Sequence, residues 1–299
     1  MQNETTTNPP VDESLDETGD EKVAEILITS RKDWIGAGII SLVAFVLYFL
    51  TSSHWAFPGE SSHLLALLTG ARPNTMSDNY VWRTMLGAVT RVFGNGLAVE
   101  AATTICTLFS ALSLGFVYLV SVAVFGILID KEQLKKKHIS DEFHADLAAR
   151  LGGVVTTATL AFSAPFWVAA TRVNFYSIYL LWTLAAAYLM LRFMAAGNVK
   201  LLYLFWLIYG MGMSQSSIMI QFSPVFLMLG FMGMVRADRM TPKTFIICLV
   251  LAVLGWMMLF FISLYGFAGS RGYTLLEYWG ESQLAQNLLK SLLTRVVNG

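Results

Sequence analysis

The sequence predicts an all-α protein, a polytopic bundle of transmembrane helices, and two observations predict it. Of 299 residues, 56% are hydrophobic and only 13% charged, against roughly 45–50% and about 25% in soluble domains. The remaining charge is unevenly spread. Long apolar stretches alternate with short charged ones, the signature of a helical membrane bundle.

Residues 1–30 stand apart. They carry Asp12, Glu13, Asp16, Glu17, Asp20 and Glu21 with Pro9 and Pro10 and few apolar side chains. Such a segment cannot bury enough surface to offset its chain entropy, so a disordered acidic cytoplasmic tail is expected. The first apolar run begins only at Trp34, behind an acidic leader, and is read as a retained signal anchor rather than a cleaved signal peptide.

A crossing helix needs about 20 mainly apolar residues. Seven stretches are candidates: 34–50, 97–129, 151–170, 176–196, 201–214, 218–235 and 245–268. The second exceeds one crossing and is expected to tilt or project from the bilayer. The fifth and sixth are short and nearly joined through Gly210, Gly212, Ser214 and Gln215, as a tight hairpin or a partly re-entrant pair. Residues 31–268 thus make one membrane module, followed by a short extracytoplasmic segment, 269–299.

Lysine and arginine bias short loops toward the cytoplasm. With the N-terminus inside, the cytoplasmic segments receive Arg31, Lys32, Lys131, Lys135, Lys136, Lys137 and Arg150, then Arg192 and Lys200, then Arg236, Arg239 and Lys243. The N-terminus is therefore expected inside and the loop 51–96 outside. Within that loop Ser77 or Asp78 can cap a helix over 78–93, stopped by Gly94-Asn95-Gly96. Val81, Met85, Leu86, Val89, Val92 and Phe93 fall largely on one face, with Arg83 and Arg91 available to the interface. This predicts an amphipathic helix along the outer leaflet, either a structural rim or the wall of a site.

Several chemistries find no support. The formal net charge is zero, which gives no sign of nucleic acid as a partner. Cys106 and Cys248 each lie in an apolar stretch and read as buried thiols without a disulfide framework. His54 and His63 bracket Glu60 but supply too few ligands for a metal, and none is expected. No nucleotide-binding loop, Ser-His-Asp arrangement or zinc motif is present.

Short motifs add a family likeness. Phe57-Pro58-Gly59-Glu60 follows the first span, Arg72-Pro73-Asn74-Thr75 precedes the loop helix, and Ser163-Ala164-Pro165-Phe166-Trp167 precedes Tyr176. A polar kink with Gln215 and Ser216 comes before Pro224. In this order, over residues 34–266, the chain resembles the GT-C membrane glycosyltransferases. More specifically, it is similar to the protein O-mannosyltransferase-like family that includes transmembrane protein 260. Those proteins carry Asp-Ser-Gly-Glu after the first span, then His-Pro-Pro-Gly, and later Glu-Val-Tyr. This chain has Phe57 at the first acid, Glu60 at the second, Arg72 at the histidine and Asn174 at the later glutamate.

The resemblance implies a GT-C-like fold and a transferase that passes a sugar from a polyprenyl-phosphate-linked donor to a protein or glycan acceptor outside the cytoplasm, in a bacterial inner membrane. The donor is a substrate, and no cofactor is expected. Such a reaction needs cations near the phosphate and a carboxylate to take the acceptor's proton. Glu60 and Asp78 are the candidate catalytic acids. Arg72, Arg172, Asn174, Tyr176, Gln215 and Arg271 are the candidate donor-binding residues. Each has a plainer use. Glu60 can be solvated and Asp78 a helix cap, Arg172 can snorkel rather than grip phosphate, and Gln215 can bond between helices. Phenylalanine cannot accept a proton, so a non-catalytic member that binds lipid or serves as a partner subunit is the second reading. A transporter is the third, and spans almost free of ionisable groups argue against it.

Overall fold

A computed structural model of the chain describes residues 29–53, 60–68, 80–94, 97–128, 140–215, 217–237 and 239–270. Apart from Thr29 and Ser30, the expected tail lies outside the described residues, as do Arg72, Asp78, Arg271 and the C-terminal segment. Among the described residues all regular structure is helical. The helices are α1 Arg31–Leu50, α2 Glu60–Leu68, α3 Tyr80–Phe93, α4 Ala98–Leu128, α5 Ser140–Ala161 and α6 Ala164–Ala170. They continue as α7 Tyr176–Ala196, α8 Val199–Gln215, α9 Ser217–Gln221, α10 Ser223–Arg236 and α11 Pro242–Ser270.

Seven crossings were expected, and the structure supports a smaller count. Among the described residues four helices are long and apolar enough to cross a membrane: α1, α4, α7 and α11. A fifth crossing is added if α5 and α6, bent by 71°, make one broken span. The break has a local cause: Ser163 is the N-cap of α6 and Pro165 lies in its first turn, where proline's missing N–H is tolerated. The remaining expected crossings correspond to α8 with 17 residues, at the short limit of a crossing, and to α9 with 5 and α10 with 14, each shorter than one.

The ends of the helices follow from their caps. α1 starts three residues before the apolar run because Ser30 and Asp33 form a capping box, with the Ser30 N–H donating to Asp33 Oδ2 at 2.6 Å. α7 stops at Gly197, which takes the left-handed φ of 63° and donates its N–H to Phe193 O at 2.8 Å. A helix, α3, covers 80–93 of the expected 78–93, with Trp82 and Leu86 buried and Val92 and Phe93 exposed.

Packing depends on small residues. A Cβ on Gly210 would collide with the Ala252 carbonyl, and one on Gly255 with the Leu207 carbonyl. The backbones of α8 and α11 approach closely only because both positions are glycine, a recurrent solution in membranes, where apolar burial alone gives helices little reason to associate. The outward faces of α1 (Ile35, Ile39, Leu42, Val46) and α11 (Phe245, Leu249, Val253) are apolar and exposed, as lipid contact requires.

The bundle has two distinct ends. At one, Arg150 Nε of α5 donates to Asp33 Oδ1 of α1 at 2.8 Å, so Arg31, Lys32 and Arg150 share the end expected inside. At the other, the Ser53 N–H beyond α1 donates to Thr171 O beyond α6 at 3.0 Å.

Candidate functional site

The loop 171–175, between α6 and α7, organises that second end. Its corner is turned by Asn174, whose Nδ2 donates to Ala169 O at 2.6 Å and Arg172 O at 2.9 Å while Oδ1 accepts the Ser177 N–H at 3.0 Å. The side chain thereby supplies a backbone partner to the first turn of α7, where N–H groups have none within the helix.

The loop's carbonyls are then claimed by separate elements. Cys106 Sγ of α4 donates to Asn174 O at 3.2 Å, and Thr107 Oγ1 to Ala170 O at 2.9 Å. Ser61 Oγ of α2 donates to Val173 O at 2.9 Å, and Thr171 O receives the Ser53 N–H. Because buried carbonyls must find donors, these bonds tie α1, α2 and α4 to one loop. Leu64, Leu65, Trp82, Leu86, Ala102 and Val173 pack into an apolar cluster beneath it.

Gln215 fixes the other flank. It is 3% exposed, its Oε1 accepts the Val81 N–H at 3.2 Å, and its Nε2 donates to Ser214 Oγ at 3.1 Å. The first turn of α3 is thus held by the last residue of α8.

The sequence candidates fall into three groups. Arg172 and Tyr176 sit on the loop's accessible side: Arg172 is partly exposed and Tyr176 is 47% exposed. Asn174 and Gln215 are buried, and the bonds above hold the loop and α3 in place. Glu60 begins α2, next to Ser61, so its backbone lies against the loop. Its side chain is outside the described residues, together with Arg72, Asp78 and Arg271.

Two features of this end were not read from the sequence. Ser61 gave no signal, because its partner is a backbone carbonyl far along the chain. Glu100, in the first turn of α4, is only partly exposed, and its Oε2 is enclosed without a hydrogen-bond partner among the described residues. An acid opening an otherwise apolar span was a visible signal. Among the described residues no group of three or more His, Cys, Asp and Glu side chains is arranged to hold a metal.

An apolar groove of about 210 Å³ runs beside α1, lined by Val43, Leu47, Tyr48, Val154, Ala158 and Trp167 among others. At its wall Tyr48 Oη donates to Ala161 O at 2.8 Å. Trp167 also belongs to the groove and accepts, through its carbonyl, the Thr171 hydroxyl at 2.9 Å. The groove therefore ends one helical turn from the loop.

A family model described as the protein O-mannosyl-transferase TMEM260 N-terminal domain matches residues 82–241, more than half of the chain. The match contains Glu100, Arg172, Asn174, Tyr176 and Gln215, and leaves out Glu60, Arg72, Asp78 and Arg271. The chain matches no curated protein and no solved structure.

Proposed function

We infer from the family to which this chain belongs, that of the protein O-mannosyl-transferase TMEM260 N-terminal domain, that it is a membrane glycosyltransferase of the GT-C type. It passes a hexose, mannose by the family's name, from a polyprenyl-phosphate donor to a protein or glycan acceptor on the extracytoplasmic face.

The observation that carries this reading is the convergence of α1, α2, α4 and α7 on the loop 171–175, inside the matched span. Arg172 offers the donor phosphate a planar, permanently charged partner, and Tyr176 stands beside it. Glu60 and Asp78 are the carboxylates of the expected outer loop. The groove along α1 suits the donor's prenyl chain: it is apolar, faces the bilayer and ends a turn from Arg172. Within this reading α8 and the α9–α10 pair complete seven crossings, and α3 lies along the outer leaflet with Val92 and Phe93 toward lipid.

The reaction asks little covalent chemistry of the protein. It must hold the anomeric carbon near the acceptor hydroxyl, offset the phosphate's charge as it leaves, and remove one proton. The test is transfer of labelled mannose from polyprenyl-phosphate mannose to a serine- and threonine-rich peptide in membranes carrying the chain. Transfer that falls about tenfold at low donor concentration in Arg172→Ala supports the reading, and undiminished transfer in that variant overturns the site.

One observation favours a second reading, a non-catalytic member that binds lipid or a partner subunit. Asn174, at the position of the family's later acid, is spent on the loop backbone, and Phe57 replaces the first acid. Purified chain that binds the donor but never transfers its sugar would favour this alternative.

A further inference from the structure

A second apolar groove, of about 350 Å³, runs along the adjoining face of α1. Gly38, Ser41 and Phe45 of α1 make one wall, and Leu108, Leu112 and Gly115 of α4 belong to the other. The groove is open above Gly38, where an added Cβ would meet nothing within 4 Å. From Trp34 to Phe45 it covers about 16 Å along the axis of α1. That is about half the roughly 30 Å of a hydrocarbon core, the depth of one leaflet.

Aromatic rings close one end. Trp34 and Phe116, both in the lining, meet Tyr188 of α7 edge-on, with centroids 5.5 and 6.0 Å from its ring. The Tyr188 hydroxyl is in turn hydrogen-bonded to the Thr29 hydroxyl, just before α1. α1 and α7 run in opposite directions, because at the far end Ser53 beyond α1 meets Thr171 before α7. Arg31 lies about one turn before Trp34 and Arg192 about one turn after Tyr188. Both arginines therefore emerge on the same side of the rings, just beyond the groove. Arg31 continues the face of α1 that carries Trp34, Gly38, Ser41 and Phe45, at alternating spacings of three and four.

The charge at this mouth is not balanced by the protein groups around it. The Arg192 guanidinium carbon lies 5.9 Å from the Tyr188 ring centroid, a cation–π contact that holds it over the closing ring. Arg192 Nε is enclosed without a hydrogen-bond partner among the described residues, while the residue as a whole stays partly exposed. Arg31 is exposed. The described carboxylates at this end, Asp33 and Asp146, both meet Arg150 instead. A guanidinium partly removed from water at membrane depth is costly until an anion joins it. Snorkelling would bring one arginine to the surface, but it gives no reason for two to flank the mouth of a groove.

We propose that this groove is a binding site for one anionic phospholipid of the leaflet at the Arg150 end. Its phosphate sits between Arg31 and Arg192, whose planar forks match phosphate oxygens, and one acyl chain lies over Gly38 and Ser41. The site is at the opposite end of the bundle from Arg172, and it does not rest on the glycosyltransferase reading.

The full chain, purified in detergent, is titrated with dioleoyl phosphatidylglycerol, and bound lipid is counted by native mass spectrometry. Wild type is expected to bind one such lipid about tenfold more tightly than dioleoyl phosphatidylcholine, which carries no net charge. Arg192→Gln and Arg31→Gln should each weaken the phosphatidylglycerol complex about tenfold. Gly38→Leu, which fills the open groove and leaves both charges in place, should weaken it by a similar factor. Lys243→Gln, which removes a charge from α11, a helix packed on α8, should stay within about twofold of wild type. Unchanged affinity in both arginine variants overturns the proposal. So does a Gly38→Leu variant that binds like wild type, or a Lys243→Gln variant as weak as the arginine ones, because the lipid is then held by general surface charge. If Arg192→Gln does not fold, the exposed Arg31 decides: Arg31→Gln with wild-type affinity overturns the site.

Discussion

Gln215 joins two helices far apart in sequence: its Oε1 accepts the Val81 N–H at 3.2 Å from a side chain only 3% exposed. The bond satisfies one of the first N–H groups of α3, which have no partner inside the helix. Gln215→Leu keeps the bulk and removes the acceptor. A buried donor left unpaired costs about 1–3 kcal/mol, and the loss should appear first in α3. Hydrogen exchange is the measurement: amides at 81–84 should exchange faster in the variant while those in the middle of α7 do not change. Uniform acceleration across both helices would show that Gln215 supports the whole bundle rather than this junction.

A second test concerns the opposite end. Asp33 is 3% exposed and receives Arg150 Nε at 2.8 Å, while that arginine also meets Asp146 at 3.0 Å and Ser30 Oγ at 3.4 Å. Arg150→Met strands a buried carboxylate, which costs about 3–5 kcal/mol where the charge is fully enclosed and less here because the arginine is 30% exposed. Adding Asp33→Asn should recover much of the loss, since no charge is then left alone. Thermal unfolding in detergent measures both. A double variant no more stable than Arg150→Met would mean that the pair's charge is not what matters.

How much of this was legible in the sequence depends on where each signal lived. Tyr176–Ala196 was read with its observed limits because an apolar run ended at Gly197, whose φ of 63° suits glycine. The stretch 151–170 was read as unbroken because Pro165 was treated as part of a motif rather than as the start of a new helix. Hydropathy reads 201–214 and 218–235 as crossings; they form α8, at the short limit of a crossing, and α9 and α10, whose break composition alone does not mark. Arg172 and Tyr176 are singled out by their place in a short loop, and the structure leaves both partly or largely exposed there. The work of Asn174 is not singled out in this way, since its partners are backbone atoms that sequence leaves unmarked.

Helix contact through glycine gives a third prediction. Gly210→Ala would push a methyl group against the Ala252 carbonyl, which is backbone and cannot rotate away. Separation of α8 from α11 should cost about 1–3 kcal/mol, the usual range for overpacking. Gly126→Ala is the control: an added Cβ there meets nothing within 4 Å, and exchange of glycine for alanine within a helix is otherwise neutral to favourable. Equal unfolding temperatures for the two variants would contradict the close approach.

The grip of Arg172 on phosphate can be separated from mere charge. Arg172→Lys keeps a cation but loses the planar fork that matches two phosphate oxygens. With polyprenyl-phosphate mannose as donor, Arg172→Ala should raise the donor KM by about tenfold or more, corresponding to roughly 1.4 kcal/mol, and Arg172→Lys should fall between it and wild type. A lysine variant with wild-type KM would reduce the site to simple electrostatic attraction, and salt would then weaken donor binding steeply.

The groove beside α1 makes the last prediction, because its shape ties chain length to affinity. Val43 lines it and is itself exposed toward the bilayer, so Val43→Trp fills the groove without disturbing the packed interior. A donor whose prenyl chain lies there loses apolar contact equally in ground and transition states. The expected signature is therefore a raised KM with kcat unchanged. A donor with a tail too short to reach the groove should be indifferent to the substitution. Ile246→Trp, on the lipid-facing side of α11, controls for the effect of an added indole in the membrane. If it raised KM as much as Val43→Trp, or if short and long donors responded alike, the prenyl chain would have to lie elsewhere.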